Sequence, residues 1–302
     1  MEKTLTPDLD VAASGSLPLF GVRQHKPTSI WRRFIRNPLA IVALVVLASL
    51  AIVSFSAPLW LPHDRVLEQA RGETFASPSF SHPFGRDEYG RDAFARAVYG
   101  GRLSLWIAFS SAVISTIIGT VLGMTAGYLG GWPDVVIDRL IELILTIPFL
   151  LLLILAAAVA RPSATSILLI LGLFDWPVLA RIVRGEFISL RGRDYIEAAR
   201  ASGCSHWRIV WRHILPNAMA PIIVTGTLIV AIHLTSEAAI SFLGLGIQPP
   251  TPSWGNLLTN AQNYVISAPF LAIFPGLLIL ITVLAVNLLG DGLRDALDPR
   301  QR

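Results

Sequence analysis

Long stretches without a charged side chain constrain the fold of this chain more than any other feature. The first, residues 38–62, opens with the apolar run 39–47 and is long enough to form a helix across about 30 Å of hydrocarbon. A secretory signal peptide is the alternative interpretation, but its apolar region would be shorter and would begin nearer the N-terminus. We therefore predict an uncleaved membrane span here.

Five further apolar stretches follow, at about residues 103–133, 140–160, 163–180, 217–243 and 269–290. Each is predicted to be a helix, because a segment in lipid must satisfy its backbone hydrogen bonds internally and no alternating barrel pattern is visible. Hydrophobic residues make up 53% of the 302 positions and charged residues 15%, a balance that soluble domains rarely show. The predicted fold class is all-α, a polytopic membrane protein with six transmembrane helices.

The distribution of charge predicts the topology. Basic residues concentrate in the N-terminal tail and between the fourth and fifth spans, whereas the connection between the fifth and sixth spans has none. The positive-inside rule therefore places the N-terminal tail and the connection between the fourth and fifth spans in the cytoplasm. Because six spans bring the chain back to the same side, the C-terminus is predicted to be cytoplasmic as well. Six arginines in residues 61–102 are matched by six acidic residues, and long loops weigh less in this rule. With a net charge of only +4, the clustering indicates membrane orientation and not nucleic-acid binding.

Small and helix-breaking residues mark the spans. Gly119, Gly123 and Gly127 lie at a spacing of four and share one helix face, so we predict that a neighbouring helix approaches closely there. Proline permits a helix to kink, and kinked helices suit a gate, although membrane helices also tolerate proline without such a role. Prolines that permit kinks occur in the four later spans, at Pro148, Pro177, Pro221 and Pro275.

Ionisable residues within spans are costly in lipid and are functional candidates by default. Glu142 lies three residues after Arg139, and Asp175 lies near the predicted inner end of the fourth span, so we expect helix-end pairing or interfacial exposure for both. His233 and Glu237 are four residues apart and share a face, which we expect to point into the protein. Because a metal site would need a further ligand, a pore-lining or hydrogen-bonding pair is favoured.

The connection between the fourth and fifth spans predicts two short helices. Asp194 is expected to cap the first, with Glu197 completing a capping box, and Gly203 to end it in a left-handed conformation. Ser205 is expected to cap the second helix, and Pro216 to stop it.

The second of these helices carries an apolar stripe beside a basic face. The periodicity leaves two interpretations open, an amphipathic helix on the inner leaflet and a helix that docks on a protein partner. The stripe consists of Trp207, Val210, Trp211 and Ile214, and the basic face of Arg208 and Arg212.

The same connection resembles the cytoplasmic EAA loop of permease subunits of binding-protein-dependent ABC importers. The resemblance rests on Glu197-Ala198-Ala199, then Gly203, then Ile214-Leu215-Pro216. In that family the loop docks into a groove on the ATPase subunit. The resemblance therefore implies a coupling role for Glu197, Ala198, Ala199, Gly203, Trp207, Trp211, Ile214, Leu215 and Pro216.

Three further stretches look like C-type subunits of dipeptide and oligopeptide permeases, so that the resemblance covers roughly residues 30–300. They are residues 82–92 with the following Arg96, Gly100, Arg102, Ser104 and Leu105, residues 241–255, and residues 287–299. Arg86 stands where the family often has threonine. Gly85 and Gly90 are expected to allow tight turns before the second span.

The resemblance implies the architecture of a type I importer permease. Residues 1–37 would be a cytoplasmic tail with an interfacial basic and aromatic helix, and residues 38–102 the first span and an outward loop. Residues 103–292 would be the core with five spans and the coupling loop 184–216, and residues 293–302 a cytoplasmic tail. His233, Glu237 and Ser241 are the candidates for a translocation path or gate.

The implied role is a permease that imports di- or oligopeptides, or a related solute, through a bacterial inner membrane. The implied partners are a homologous B-type permease subunit, two ATP-binding subunits and an extracytoplasmic solute-binding protein. Neither a cofactor nor an enzymatic activity is expected on this chain, since ATP and Mg²⁺ would be bound by the ATPase subunits. Its only lysines, Lys3 and Lys26, do not complete a Walker phosphate-binding loop.

Two other classes of protein compete with this interpretation. A secondary transporter driven by an ion gradient would show inverted repeats and buried charge near the midplane of broken spans, and we find no such pattern. An intramembrane enzyme would need a nucleophile with a base, or a metal cluster, and His233 with Glu237 is too small a set for either.

Overall fold

The computed structural model describes residues 30–70 and 72–297, and these residues are helical without any β-strand. The predicted all-α class is therefore confirmed, while residues 1–29 and 298–302 of the two predicted tails lie outside the described residues. The helices are α1 (Ile30–Arg36), α2 (Pro38–Trp60), α3 (Asp64–Leu67), α4 (Ala93–Leu129), α5 (Gly131–Thr146), α6 (Phe149–Val159), α7 (Ala164–Phe174), α8 (Trp176–Arg191), α9 (Asp194–Ala201), α10 (His206–Ile209), α11 (Leu215–Phe242), α12 (Trp254–Ala261) and α13 (Phe270–Leu297).

By length and composition, five helical segments of the described chain can cross a membrane. They are α2, α4, α7 with α8, α10 through α11, and α13. The third predicted span is not a straight helix, because α5 and α6 meet at 86° near Pro148. Six spans result if this bent pair counts as one.

The second and fourth spans pack closely along the predicted glycine face. A Cβ atom at Gly119 would lie 2.9 Å from the carbonyl oxygen of Trp176, and one at Gly127 would lie 2.6 Å from that of Arg184. A Cβ atom at Gly123 would likewise collide with the carbonyl oxygen of Ala180. The backbone of α8 therefore rests directly on α4, and the predicted close contact is confirmed.

The fifth span begins earlier than the sequence predicts. A π-helical turn, Val210–Ile214, joins α10 to α11, so the helix runs without interruption from His206 to Phe242. The prediction that Pro216 stops the second short helix is therefore wrong. The wider turn, in which the Leu215 N–H donates to the Val210 carbonyl oxygen, absorbs the ring of the proline that follows.

Residues 61–70 and 72–92, apart from the short helix α3, form an irregular segment that covers one end of the bundle. Gly85 and Gly90 both have positive φ, at +72° and +74°, which confirms the predicted turns. A side chain at Gly90 would collide with the carbonyl oxygen of Ala70. At the same end, α12 forms a short helix between α11 and α13, with Trp254 buried against α4.

Arg86, where the family often has threonine, ties this irregular segment together. Its Nε lies 2.9 Å from a carboxylate oxygen of Glu73, and its Nη1 donates to the Gly90 carbonyl oxygen at 2.6 Å. The side chain therefore links two turns of the segment and has a structural role within it.

Candidate functional site

The predicted coupling loop contains the two expected short helices, but the first of them is not capped as predicted. The first helix is capped at Arg193 without a side-chain bond, so the capping box predicted for Asp194 and Glu197 is wrong. Gly203 ends that helix with φ +77°, as predicted, and no atom would lie within 4 Å of a Cβ there. Ser205 caps the second helix by accepting from the Arg208 N–H at 3.4 Å, also as predicted.

The predicted apolar stripe divides into an inner and an outer part. Val210 and Ile214 are buried in the main core, whereas Trp207 and Trp211 remain 71% and 46% exposed. The two indole rings contact each other with centroids 5.2 Å apart. The helix thus anchors one side in the bundle and presents an aromatic pair on the other.

The remaining residues of the proposed coupling set are mostly accessible. Ala199 and Leu215 are half-buried, and Glu197, Ala198, Gly203 and Pro216 are exposed. Beside them, Ile196 and Ile209 are buried in the main core and fix the two short helices to the bundle. The exposed residues therefore lie on short helices that the core holds in place.

A hydrogen bond joins this region to the end of α4. The Tyr128 hydroxyl lies 2.8 Å from Nδ1 of His206, with the two rings edge to face. Because α10 continues into α11, a displacement of the exposed aromatic pair can be transmitted along a single helix into the core.

A chain of polar side chains crosses the core of the bundle. Nδ1 of His233 lies 2.7 Å from the hydroxyl of Ser111, and its Nε2 lies 3.0 Å from a carboxylate oxygen of Asp175. Asp175 sits at the break between α7 and α8 and is buried, as are the other two residues. Asp175 is therefore paired at the end of α7, but the expectation of exposure near the inner end of the fourth span is wrong, because that span continues to Arg191.

Glu142, in contrast, behaves as predicted. Its carboxylate lies 2.6 Å from Nη1 of Arg139, one turn earlier on the exposed side of α5. The pair is therefore an ordinary surface ion pair.

Glu237 belongs to a second buried network, one turn from the first. Its carboxylate accepts from the hydroxyls of Ser104 and Ser241, both at 2.9 Å. The Ser104 hydroxyl in turn accepts from the backbone N–H of Trp254 at 3.1 Å. These bonds hold α12 against α4 and α11.

The three candidates for a path or gate therefore lie inside this subunit. His233 and Glu237 are completely buried and Ser241 is nearly so, which confirms that the pair points into the protein. None of the three lines an open surface in this conformation, so their assignment to a translocation path finds no support in the structure. No group of three metal-ligating side chains occurs in the described residues.

An open cleft between α11 and α13 presents the polar groups that the sequence analysis missed. It has a volume of about 310 Å³ and is lined by Ala231, Ile232, Thr235, Ser236, Val283 and Asn287. The amide of Asn287 is exposed and makes no hydrogen bond to the described residues. The sequence signal for this cleft is the presence of uncharged polar residues, such as Thr235 and Asn287, inside apolar runs.

The 82–92 motif folds around buried ion pairs at the opposite end from the coupling loop. A carboxylate oxygen of Asp87 lies 2.6 Å from Nε of Arg91 and 3.6 Å from Nε of Arg96, and all three residues are buried. Burial raises the pKa of Glu88, although its carboxylate lies 3.3 Å from Nη2 of Arg91. The motif therefore stabilises the segment that covers this end.

Fold and site together define a multi-pass helical membrane protein with two short helices, α9 and α10, exposed at one end. Residues 119–302 match the family described as "Binding-protein-dependent transport system inner membrane component". Residues 28–78 match the family described as "N-terminal TM domain of oligopeptide transport permease C". The chain belongs to this family of inner-membrane transport components.

Individual relatives agree with this placement. The "Dipeptide transport system permease protein DppC" of Alkalihalophilus pseudofirmus is 41% identical, over 92% of this chain and 93% of its own length. The "Glutathione transport system permease protein GsiD" of Escherichia coli is 40% identical, over 96% of each chain. A solved structure of the inward-facing MetNI methionine ABC transporter aligns with a TM-score of 0.55 at 20% identity, covering 68% of this chain and 97% of that chain. The fold is that of an ABC importer permease.

Proposed function

We propose that this chain is one of two permease subunits of an ATP-driven importer of peptides or glutathione-like solutes. The observation that carries the proposal is the exposed pair Trp207 and Trp211 on a helix continuous with the fifth span. The proposed substrate class follows the names of relatives at about 40% identity. Hydrolysis of ATP takes place on separate subunits, and this chain has no catalytic residue of its own.

We name residues 194–214, with the exposed Trp207 and Trp211, the docking element. This element explains how separate ATP-hydrolysing subunits would act on the chain. Exposed aromatic residues are favourable anchors for a protein partner, because they bury a large apolar area with few rotatable bonds. Closure of two ATPase subunits would move the aromatic pair, and the continuous helix from His206 to Phe242 would carry the movement into the core. In this topology the docking element and both termini are cytoplasmic.

The solute path in this proposal runs along the cleft between α11 and α13. An exposed amide such as that of Asn287 is costly against lipid tails, because it finds no hydrogen-bond partner there. The same group is well placed against water, a solute or a second permease subunit. This cleft therefore replaces His233, Glu237 and Ser241 as the proposed path, and those three residues hold the helices together.

An uptake assay with purified components tests the proposal. The chain would be reconstituted with its partner subunits and binding protein, and ATP hydrolysis would be measured with and without dipeptides or glutathione. Trp207→Ala with Trp211→Ala should abolish both uptake and stimulated hydrolysis, while the protein still inserts into the membrane. Trp132→Ala, another exposed tryptophan, is the matched control and should retain both activities.

The turn of the docking element offers a second variant. Gly203→Val forces a β-branched side chain into a left-handed conformation without any collision, so it should disturb the docking surface and leave the core intact. Full uptake by both this variant and the double tryptophan variant would contradict the proposal, as would uptake that continues without the ATPase subunits.

A further inference from the structure

A cavity at the end of the bundle opposite the docking element is lined by an arginine, Arg102, to which the proposed transport function gives no role. It has a volume of about 390 Å³ and lies between the end of α2, the start of α4 and the loop before α12. Its lining consists of Phe55, His63, Tyr99, Arg102, Leu103, Trp106, Thr251 and Pro252. No carboxylate is among these residues.

Arg102 is the one charged side chain in this lining. Its neighbours in the sequence have internal contacts: a Cβ at Gly101 would meet the Trp254 ring at 2.7 Å, and Ser104 binds Glu237. The guanidinium of Arg102, in contrast, is exposed and makes no hydrogen bond or ion pair to the described residues. A cation left without a partner beside a cavity is available for an anion from outside the chain.

The depth of the cavity follows from the length of α4. Arg102 and Tyr128 are 26 residues apart on this helix, which corresponds to about 39 Å at a rise of 1.5 Å per residue. A bilayer is about 40–45 Å thick with its headgroups included. With the docking element, which Tyr128 contacts, at one membrane surface, this length brings Arg102 to the level of the headgroups of the other leaflet.

The lining has a polar part and an apolar part, as a phospholipid has a headgroup and acyl chains. Arg102, His63 and the Thr251 hydroxyl supply donors suited to a phosphate, and the His63 imidazole makes no hydrogen bond to the described residues. Phe55, Leu103 and Trp106 form an apolar wall, and Phe55 and Trp106 are 46% and 43% exposed. Tryptophan and tyrosine are themselves enriched at this depth of a membrane.

We propose that this cavity binds an anionic phospholipid, with the phosphate at Arg102 and an acyl chain along Phe55 and Trp106. The site is separate from the docking element and from the cleft between α11 and α13, so its test does not depend on the proposed transport function. The ligand belongs to the leaflet that faces away from the docking element.

Native mass spectrometry of the purified full-length chain tests this site. The detergent-solubilised protein would be titrated with phosphatidylglycerol and, in parallel, with phosphatidylcholine of the same acyl chains. Preferential retention of phosphatidylglycerol is expected, and Arg102→Gln should weaken it about tenfold, because a charge-assisted hydrogen bond is lost. Arg65→Gln removes an exposed arginine of α3, which does not line the cavity, and should leave retention unchanged.

A photoreactive amino acid in place of Trp106 identifies the occupant directly in membranes. A lipid adduct is expected, and it should be lost when Arg102→Gln is added. Equal retention of the two lipids, unchanged retention in Arg102→Gln, or an adduct with another protein would overturn the proposal. The last outcome would assign the cavity to a partner subunit.

Discussion

Nε2 of His233 lies 3.0 Å from the carboxylate of Asp175, and this contact joins the fifth span to the break in the fourth. The other ring nitrogen of His233, Nδ1, lies 2.7 Å from the Ser111 hydroxyl on the second span. Three helical spans are thereby tied through one side chain. Buried polar groups of this kind are costly when a partner is removed, so the contact can be tested by stability.

His233→Leu should lower the thermal stability of the purified chain, because it leaves the Asp175 carboxylate buried without its hydrogen-bond partner. The expected loss is about 1–3 kcal/mol. Glu142→Gln breaks an exposed ion pair on α5 and should change stability by less than about 0.5 kcal/mol. In a double-mutant cycle, Asp175→Leu and His233→Leu should be strongly non-additive, and simple addition of their effects would argue against the contact.

Gly123→Ala should destabilise the helix bundle, because the added Cβ would collide with the Ala180 carbonyl oxygen on α8. Overpacking of this kind costs about 1–3 kcal/mol. Gly185→Ala is the matched control, since it lies on α8 itself with no atom within 4 Å of the new Cβ. Thermal unfolding in detergent should separate the two variants, and equal stability would contradict the close approach of α4 and α8.

Glu88→Gln should stabilise the chain at neutral pH, because burial raises the pKa of the Glu88 carboxyl above its ordinary value of 4.5. The folded chain then holds this proton more tightly than the unfolded chain, so unfolding free energy falls as the pH rises from 4.5 through the raised value. Melting temperatures between pH 4 and pH 8 measure the effect. The advantage of the variant should shrink on acidification, and an advantage that grows instead would contradict the assignment.

Thr235→Val and Asn287→Leu should lower uptake severalfold without lowering the melting temperature, because both side chains line the open cleft and neither is part of the core. Thr165→Val replaces an exposed threonine on α7, outside the cleft, and should keep normal uptake. If the two cleft variants transported as well as the control, the solute path would have to lie elsewhere.

The spans could be predicted from the sequence because apolar length is a local property. Residues 38–62 and 269–290 appear as helices close to the predicted bounds, and the glycines of the second span meet a neighbouring backbone as expected. The bend at Pro148 was less accessible, since a proline permits a kink without fixing its angle. An angle of 86° depends on how α6 packs against α7 and α11.

The polar networks could not be predicted, because their members are far apart in the sequence. His233 and Asp175 are separated by 58 residues, and Glu237 and Ser104 by 133. The spacing of His233 and Glu237 suggested one shared site, but the two side chains enter different networks. The division of the stripe at Trp207 and Val210 depends on which face the bundle covers, and periodicity alone does not state this.

Labelling of Cys204, the only cysteine of the chain, tests the central claim most directly. This residue lies beside Gly203 in the docking element and is partly accessible. In intact cells a membrane-impermeant maleimide should not react with it, and in inverted vesicles a bifunctional maleimide should join it to a separate ATP-hydrolysing subunit. Reaction of Cys204 from outside the cell, or the absence of any cross-link to such a subunit in active vesicles, would contradict the account.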